Sequence, residues 1–448
     1  MKPHRIRLWL FLIVVIIILL SPLAYWLTGV GQASGRLSAE IAHAPDGTLL
    51  SSPKAEALHR LALPMRVEQL LVYPLLLVTF QLSGGALALR RRLEGKAHTP
   101  PSGQVQNLPL LQRWMGRLIP HAWRQRLAGR HLLVVLGFVL IFDLALALLY
   151  LPFNYYSGFI LAHQFGLSTQ TAPGWAGDWL KNLIITLVID GPVWTGFYAL
   201  LRLMPRRWPI PAGALLVLFS AAFVLAEPLV ITPLFYQVRP LNDARLRARI
   251  LALAGRADMH VDEVYVINAS SKTTEANAYF TGFGGAQRIV LFDTLLTGYT
   301  PDQVEVVLAH EMGHWYFRHV WLGLLGMGAA GWIGLFGLRW LLKHSWRRLD
   351  LSGPADVAGL PYLLAVVAIV TALSLPFLNS LSRFGERQAD RFALEVSHKP
   401  GVFIELFERL AVQNLSPVDA SAWEKLIFYT HPSIAERIRM AEGNIRDY

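Results

Sequence analysis

The residues best able to do chemistry in this 448-residue chain are His310, Glu311 and His314, in the run T-P-D-Q-V-E-V-V-L-A-H-E-M-G-H-W from Thr300 to Trp315. On a helix, positions four apart share a face, so the two imidazoles can meet one tetrahedral zinc ion. A glutamate one residue past the first histidine can reach a water on the open side of such an ion and take its proton. The segment also carries a helix-start signal. Thr300 serves as cap, Pro301 stands where its missing N–H costs nothing, and Gln303 sits at the return position of a capping box. H-E-x-x-H arises by chance as well, so the assignment needs a matching ligand elsewhere.

S-R-F-G-E-R-Q-A-D, residues 382–390, offers one. Glu386 and Asp390 lie one helical turn apart. The first can complete the protein ligands, and the second can orient a ligating imidazole through its other nitrogen. The plainer reading is a helix whose surface acids are offset by Arg383, Arg387 and Arg391; Glu395 is a further ligand candidate. A metzincin is excluded, because Phe317 and Val320 stand where its glycine and third histidine would be. His319, five residues past His314, is expected off the metal face of a continuing helix, in a packing or surface role.

The elements that must position these groups are set by composition. Hydrophobic residues make up 54% of the chain and charged residues 16%, with mean hydropathy +0.40; soluble domains carry nearer ~25% charged residues. A polytopic membrane protein follows, with the lipid bilayer as its surround. The absence of cysteine excludes disulfides, thiolate zinc sites and a cysteine nucleophile. The net charge of +11 does not argue for nucleic acid, since the basic residues cluster at the ends of apolar runs.

Seven spans are expected, near 8–27, 67–89, 131–152, 179–201, 210–229, 320–338 and 357–380. The first is too long for the apolar region of a signal peptide and is read as retained. Asp143, Asp190 and Glu227 sit at membrane depth on three consecutive spans, which predicts a wet interior; hydrogen bonding between helices is the alternative. A loop of 93–130, helical near Leu110 to Leu118, separates the second and third spans. Residues 232–319 form an extramembrane segment. Within it an Arg-rich amphipathic helix, Asn242 to Ala254, is stopped by Gly255. Strands follow at Val264 to Ile267, Ala276 to Phe280 and Arg288 to Phe292, the last two joined through Gly282, Gly284 and Gly285. A peptide could add itself to the edge of such a sheet. Residues 381–448 are C-terminal helices.

Several ordered motifs resemble the type I CAAX prenyl protease family of integral-membrane zinc metallopeptidases. They are F-G-L-S-T-Q-T at 165–171, I-T-P-L-F-Y-Q-V-R-P-L at 231–241, N-A-Y-F-T-G at 277–282, R-I-V-L-F-D-T-L-L at 288–296, the two zinc motifs, and T-H-P-S-I-A-E-R at 430–437. The first hundred residues share only the presence of two spans. The resemblance implies a mainly α fold of about seven transmembrane helices around a water-filled chamber, with a small extramembrane zinc-metallopeptidase domain of helices and a short β-sheet. It makes Asn277, Ala278 and Tyr279 the peptide-binding edge. It also matches His431 and Arg437 to a histidine and an arginine that could donate to the oxyanion.

The mechanism expected is hydrolysis of a peptide or protein substrate, with one zinc per chain on His310, His314 and Glu386, Glu311 as base and Asp390 behind a ligand. The rival readings are a transporter or channel, which gives no reason for the Glu386 and Asp390 pair, and an adaptor holding structural zinc, which an open coordination position disfavours. The expected location is a bacterial inner membrane, or an endoplasmic reticulum membrane in a eukaryote. Orientation divides the arguments. Arg90, Arg91, Arg92 and the other basic residues of 90–130, with Arg202, Arg206, Arg207, Arg339, Lys343, Arg347 and Arg348, share a side with the N-terminus. The positive-inside rule puts that side in the cytoplasm and the zinc motifs outside it, whereas the resemblance implies a site open to the cytosol.

Overall fold

An apolar run in an apolar surround must satisfy every backbone N–H and C=O within itself, which a helix does. In the computed structural model, residues 3–45, 48–96, 129–257, 259, 261, 263–281 and 288–446 are described. Seven of its helices are long and apolar enough to cross a membrane. The first five belong to the N-terminal half. They are α1 (Pro3–Leu27), α2 (Pro53–Ser83, followed by the short α3, Gly85–Lys96), α4 (Gly129–Tyr155), α5 (Ala172–Leu203) and α6 (Pro209–Ala226). Two of them extend through π-helical turns: α4 through Tyr156–Leu161 and α6 through Glu227–Ile231. The span expected at 67–89 differs from α2. The helix begins at Pro53, capped by Ser52, and breaks at Gly84, where φ is +82° and only a residue without Cβ is unstrained.

The extramembrane segment packs against these spans. β1 (Val238–Pro240) leads to α7 (Ala244–Arg256), whose first turn is capped by Asp243 Oδ1 accepting from Leu246 N at 3.0 Å. α7 does not stop at Gly255 as expected; it runs through it, since the space around that glycine is open and nothing there requires a left-handed residue. Leu246, Ile250, Leu253 and Ala254 recur at helical spacing and are buried, while the arginines of α7 alternate with them. Burial of each large side chain contributes about 1.5–3 kcal/mol. β2 (Glu263–Ile267), β3 (Ala278–Thr281) and β4 (Arg288–Phe292) complete a sheet in the order β1-β2-β4-β3. β2 and β4 run parallel, and β3 lies antiparallel to β4 with Ala278 opposite Leu291 and Tyr279 opposite Val290. β3 is therefore an edge strand, and it begins two residues later than expected. The turn through Gly282, Gly284 and Gly285 and the helix expected near Leu110 to Leu118 lie outside the described residues.

Next comes α8 (Pro301–Tyr316), which opens on the capping box: Thr300 Oγ1 accepts from Gln303 N at 3.3 Å, and Gln303 Oε1 accepts from Thr300 N at 3.1 Å. The last two spans follow it, α9 (His319–Ser345) and α10 (Leu360–Ser397). α11 (Pro400–Gln413), α12 (Ala422–Phe428) and α13 (Ile434–Arg446) end the chain. α9 packs on α6 through small residues, and a Cβ on Gly213 would come within 1.8 Å of the Trp332 ring. Leu325, Ile333, Leu373 and Phe377 face outward as a bilayer requires. One apolar core lies under the sheet and α8, built from Ile250, Leu253, Leu291, Leu308 and Met312 among others; a second joins α2, α4 and α5 within the membrane region.

Candidate active site

Two helices make the site, and a glycine sets how closely they approach. α8 crosses α10 at Gly313, where an added Cβ would lie 2.8 Å from Ala389 Cα. That crossing faces His310 and His314 toward Glu386. His310 Nε2 is 3.2 Å from His314 Nε2 and 3.3 Å from Glu386 Oε2, and His314 Nε2 is 3.3 Å from Glu386 Oε1. Ligand atoms about 2.0–2.1 Å from a tetrahedral ion stand roughly 3.3 Å apart, so the separations are those of a closed ligand set. These three residues are the one such metal-binding group found among the described residues. The hydrogen bonds agree. Each histidine has its Nδ1 engaged, His310 with Asp390 Oδ1 at 2.9 Å and His314 with His319 Nδ1 at 2.9 Å. With the protons on Nδ1, the two Nε2 atoms face each other as lone pairs. Glu386 Oε2 is buried with no hydrogen-bond partner. Converging lone pairs and an orphaned carboxylate oxygen are what a divalent cation would satisfy.

The surroundings hold this geometry. Asp390, 0% exposed, receives Arg437 through Nε at 2.9 Å and through a second, shorter contact from the same guanidinium. Arg437 also lies over the Phe407 ring, 4.0 Å from its centroid, and 4.0 Å from Glu386. Its Nε and Nη2 are directed at Asp390, with Nη2 also 3.2 Å from His310 Nδ1, while the side chain borders the cavity beside His310. The His431 ring lines the cavity with Nε2 3.4 Å from Glu386 Oε1. Its loop hangs from α10, since Arg383 donates to the carbonyl oxygens of Lys425 and Tyr429, and Asn379 donates to that of Ile427 at 2.6 Å. Glu311 lines the same cavity. Burial pushes its carboxyl above the usual range, with the adjacent His310 and His314 pulling it back.

His319 corrects an expectation. It does not pack apart from the metal face: its Nδ1 accepts from His314, and its Nε2 meets Gln388 Oε1 at 3.2 Å. The helix does not continue to it. α8 ends at Tyr316 and Arg318 takes a left-handed conformation, φ +56° and ψ +34°, which turns His319 back at the start of α9. Glu395 is exposed and outside the ligand set.

The cavity holds about 1430 Å³, more than the ~300–1,000 Å³ of small-molecule pockets, and runs from His310 and Glu311 past Asn277 to Asp143 within the membrane region. Of the three intramembrane acids, Asp143 lines it; Asp190 does not, and Glu227 accepts from Thr232 Oγ1 at 2.7 Å. At the sheet edge Asn277 lines the cavity, Ala278 is buried, and Tyr279 packs with Tyr236 and Phe292 around a smaller core.

The sequence matches peptidase family M48 over residues 240–445 and the CAAX prenyl protease N-terminal region, described as five membrane helices, over residues 102–237. It is 33% identical over 340 residues to the uncharacterized metalloprotease YhfN of Bacillus subtilis, covering 74% of this chain and 76% of that one. The chain belongs to peptidase family M48. Within the family it is also 30% identical over 309 residues to CAAX prenyl protease 1 of Saccharomyces cerevisiae, covering 64% of this chain and 67% of the relative. The crystal structure of S. mikatae Ste24p has the same fold, with a TM-score of 0.67 at 21% identity over 96% of this chain and 99% of that one. This M48 chain is thus a multi-pass membrane metallopeptidase that acts on a peptide or protein. The N-terminal match begins at residue 102, so α1 and α2 lie outside it.

Proposed function

We propose that the chain is a zinc-dependent endopeptidase that cuts near the C-terminus of proteins ending in a CAAX sequence, binding one zinc per chain through His310, His314 and Glu386. The observation that carries this reading is that a closed His–His–Glu ligand set has His310 and Glu311 on the wall of the chamber, beside Asn277 at the outer strand of the sheet. The similarity to CAAX prenyl protease 1 of yeast supports the CAAX class, a C-terminal cysteine, two aliphatic residues and a variable last residue.

A bound zinc ion supplies a Lewis acid and brings the pKa of a water at its open position toward roughly 7. Asn277, Ala278 and Tyr279 hold the substrate backbone by strand addition. Glu311 takes the proton from the attacking water and delivers it to the leaving amine. His431 donates to the oxygen on which charge develops. Asp390, fixed by Arg437, keeps the His310 proton on Nδ1 and its lone pair on the ligating side. His319 and Gln388 do the same for His314.

The test is Glu311→Gln in detergent-purified protein, with zinc content measured beside cleavage of a CAAX-type peptide. The amide keeps the shape and cannot accept the proton, so turnover falls by about 10²- to 10⁴-fold with zinc retained. Activity within a few fold of the parent would refute the assignment.

A further inference from the structure

The strand edge that receives substrate is closed at one end. Backbone groups along an extended strand point alternately to its two sides. The carbonyl oxygens of Asn277 and Glu275 face the β4 side, accepting from Phe292 N and Thr294 Oγ1. Thr274 and Ala276 have the opposite parity, so their backbone groups face the side on which a peptide would add, with Lys272 in the turn just before them. There they are already taken. Thr169 N donates to the Lys272 carbonyl oxygen, Thr274 N donates to that of Leu167, and Ser168 bridges to Thr273. Gln413 Nε2 donates to the Thr274 carbonyl oxygen at 2.6 Å, and Asn414 accepts from Ala276 N. Ala278 N also donates to Asn277 Oδ1 at 2.8 Å, so the edge is covered up to Ala278 N and open beyond it.

Antiparallel pairing, the more stable of the two, runs a substrate's C-terminal end toward the blocked side. Where the scissile bond lies opposite Asn277, the next three residues leave the covered edge for the chamber, within a reach of about 10 Å. Lys272 lines the wall of the same cavity. Its Nζ is 2.5 Å from Asp178 Oδ2 and 4.5 Å and 5.2 Å from the centroids of the Tyr236 and Phe235 rings. Lys181 is 3.2 Å from the other oxygen of Asp178, so two ammonium groups share one carboxylate and leave a net positive charge. The Lys272 side chain is 18% exposed. The carboxylate and the two rings fix the ammonium in place, and an ammonium has three donors, of which Asp178 takes one.

We propose that this closed end is a receptor for the free α-carboxylate at the substrate's C-terminus, with Lys272 as the group that binds it. The inference rests on the CAAX-type reading and adds to it a physical limit: the bond cut is the one whose distance to the chain end fits between Asn277 and Lys272. A charge-assisted hydrogen bond in a half-buried site gives a preference of about tenfold or more for the free acid over a neutral end.

The experiment uses the purified full chain and a fluorescent peptide ending in Cys-aliphatic-aliphatic-Met, as free acid, as C-terminal amide, and extended by four residues. The parent is expected to favour the acid in kcat/KM by about tenfold or more. Lys272→Gln is expected to raise KM for the acid to that of the amide, with kcat for both within about twofold of the parent, and Lys272→Arg is expected to keep the preference. Equal cleavage of all three peptides by the parent overturns the closed end and leaves the peptidase reading standing. So does a Lys272→Gln variant that loses kcat on acid and amide alike, which marks a structural lysine. Arg66, an exposed arginine on the same cavity wall, supplies the comparison: loss of the preference in Arg66→Gln with its retention in Lys272→Gln also overturns it. Failure to cut any of the three, with cleavage of an internal bond in another peptide, overturns the CAAX-type reading and this inference with it.

Discussion

Gly313→Ala adds one methyl group at the α8 and α10 crossing and should uncouple metal binding from folding. The new Cβ would lie 2.8 Å from Ala389 Cα and 3.2 Å from its Cβ and carbonyl oxygen. Carbon atoms rest about 3.5–4.0 Å apart, so the helices must part by roughly 0.7–1.2 Å. These Ala389 atoms are backbone and Cβ, which no rotamer change can move. Glu386 stands one turn before Ala389 and moves with it, while zinc sites tolerate only about 0.2 Å in ligand distance. Overpacking costs about 1–3 kcal/mol, and the better helix propensity of alanine returns up to ~1 kcal/mol. Net destabilisation is thus at most about 3 kcal/mol, while zinc affinity should fall at least ~10-fold, in the range seen when ligand geometry is disturbed. Competition with a chromogenic chelator measures the affinity, and a melting curve measures the fold. Gly255→Ala, with open space around it in α7, serves as the control and should leave zinc affinity unchanged and the melting temperature equal or slightly raised. Parent-like zinc affinity and cleavage in Gly313→Ala would refute the argument that this contact sets the ligand geometry.

Removing His319 with alanine should lower zinc affinity by ~10- to 100-fold, because His314 loses the partner that fixes its tautomer; an unchanged chelator titration would count against the relay. Asp302 and Glu305 give the fold an acid-sensitive clamp. Hydrogen bonds from Lys399 and then Arg249 hold Asp302 below the usual range; for Glu305, burial pushes upward and the bonds from Arg249 and Lys399 outweigh it. Carboxylates lowered on folding stabilise above their unfolded pKa, about 4, and lose that contribution as pH falls through the folded value. Lys399→Met should therefore lower the melting temperature at pH 7 and flatten its decline below pH 4, and a parallel decline in variant and parent would contradict this. The positive-inside rule applied to the basic loops predicts a cytoplasmic N-terminus; a reporter fused after Tyr448 is then expected to be active outside the cytoplasm, and cytoplasmic activity alone would reverse the assignment.

Local signals in the sequence read well because their causes are local. The capping box at Thr300, the span count and the bounds of β4 follow from residues within a few positions of one another. The pair Glu386 and Asp390 was visible for the same reason. His319 was not, because the helical-wheel argument assumed that α8 continues, and a left-handed Arg318 is paid no attention by any periodicity. Arg437 was assigned a partner in the substrate, whereas the structure directs it to Asp390, 47 residues away. No pattern in one sequence pairs residues at that distance. The blocked strand edge was equally invisible, since Leu167 to Thr169 and Asn414 come to it from opposite ends of the chain.

α9 and α10 separate His314 from Glu386, so the ligand set is split across two membrane crossings. During synthesis the histidine half emerges first, and it lacks its carboxylate until α10 has been made. α10 is one continuous helix from Leu360 to Ser397, so Glu386 reaches the histidines only when the helical hairpin is seated in the bilayer. The chain therefore has no complete proteolytic centre before its insertion is finished.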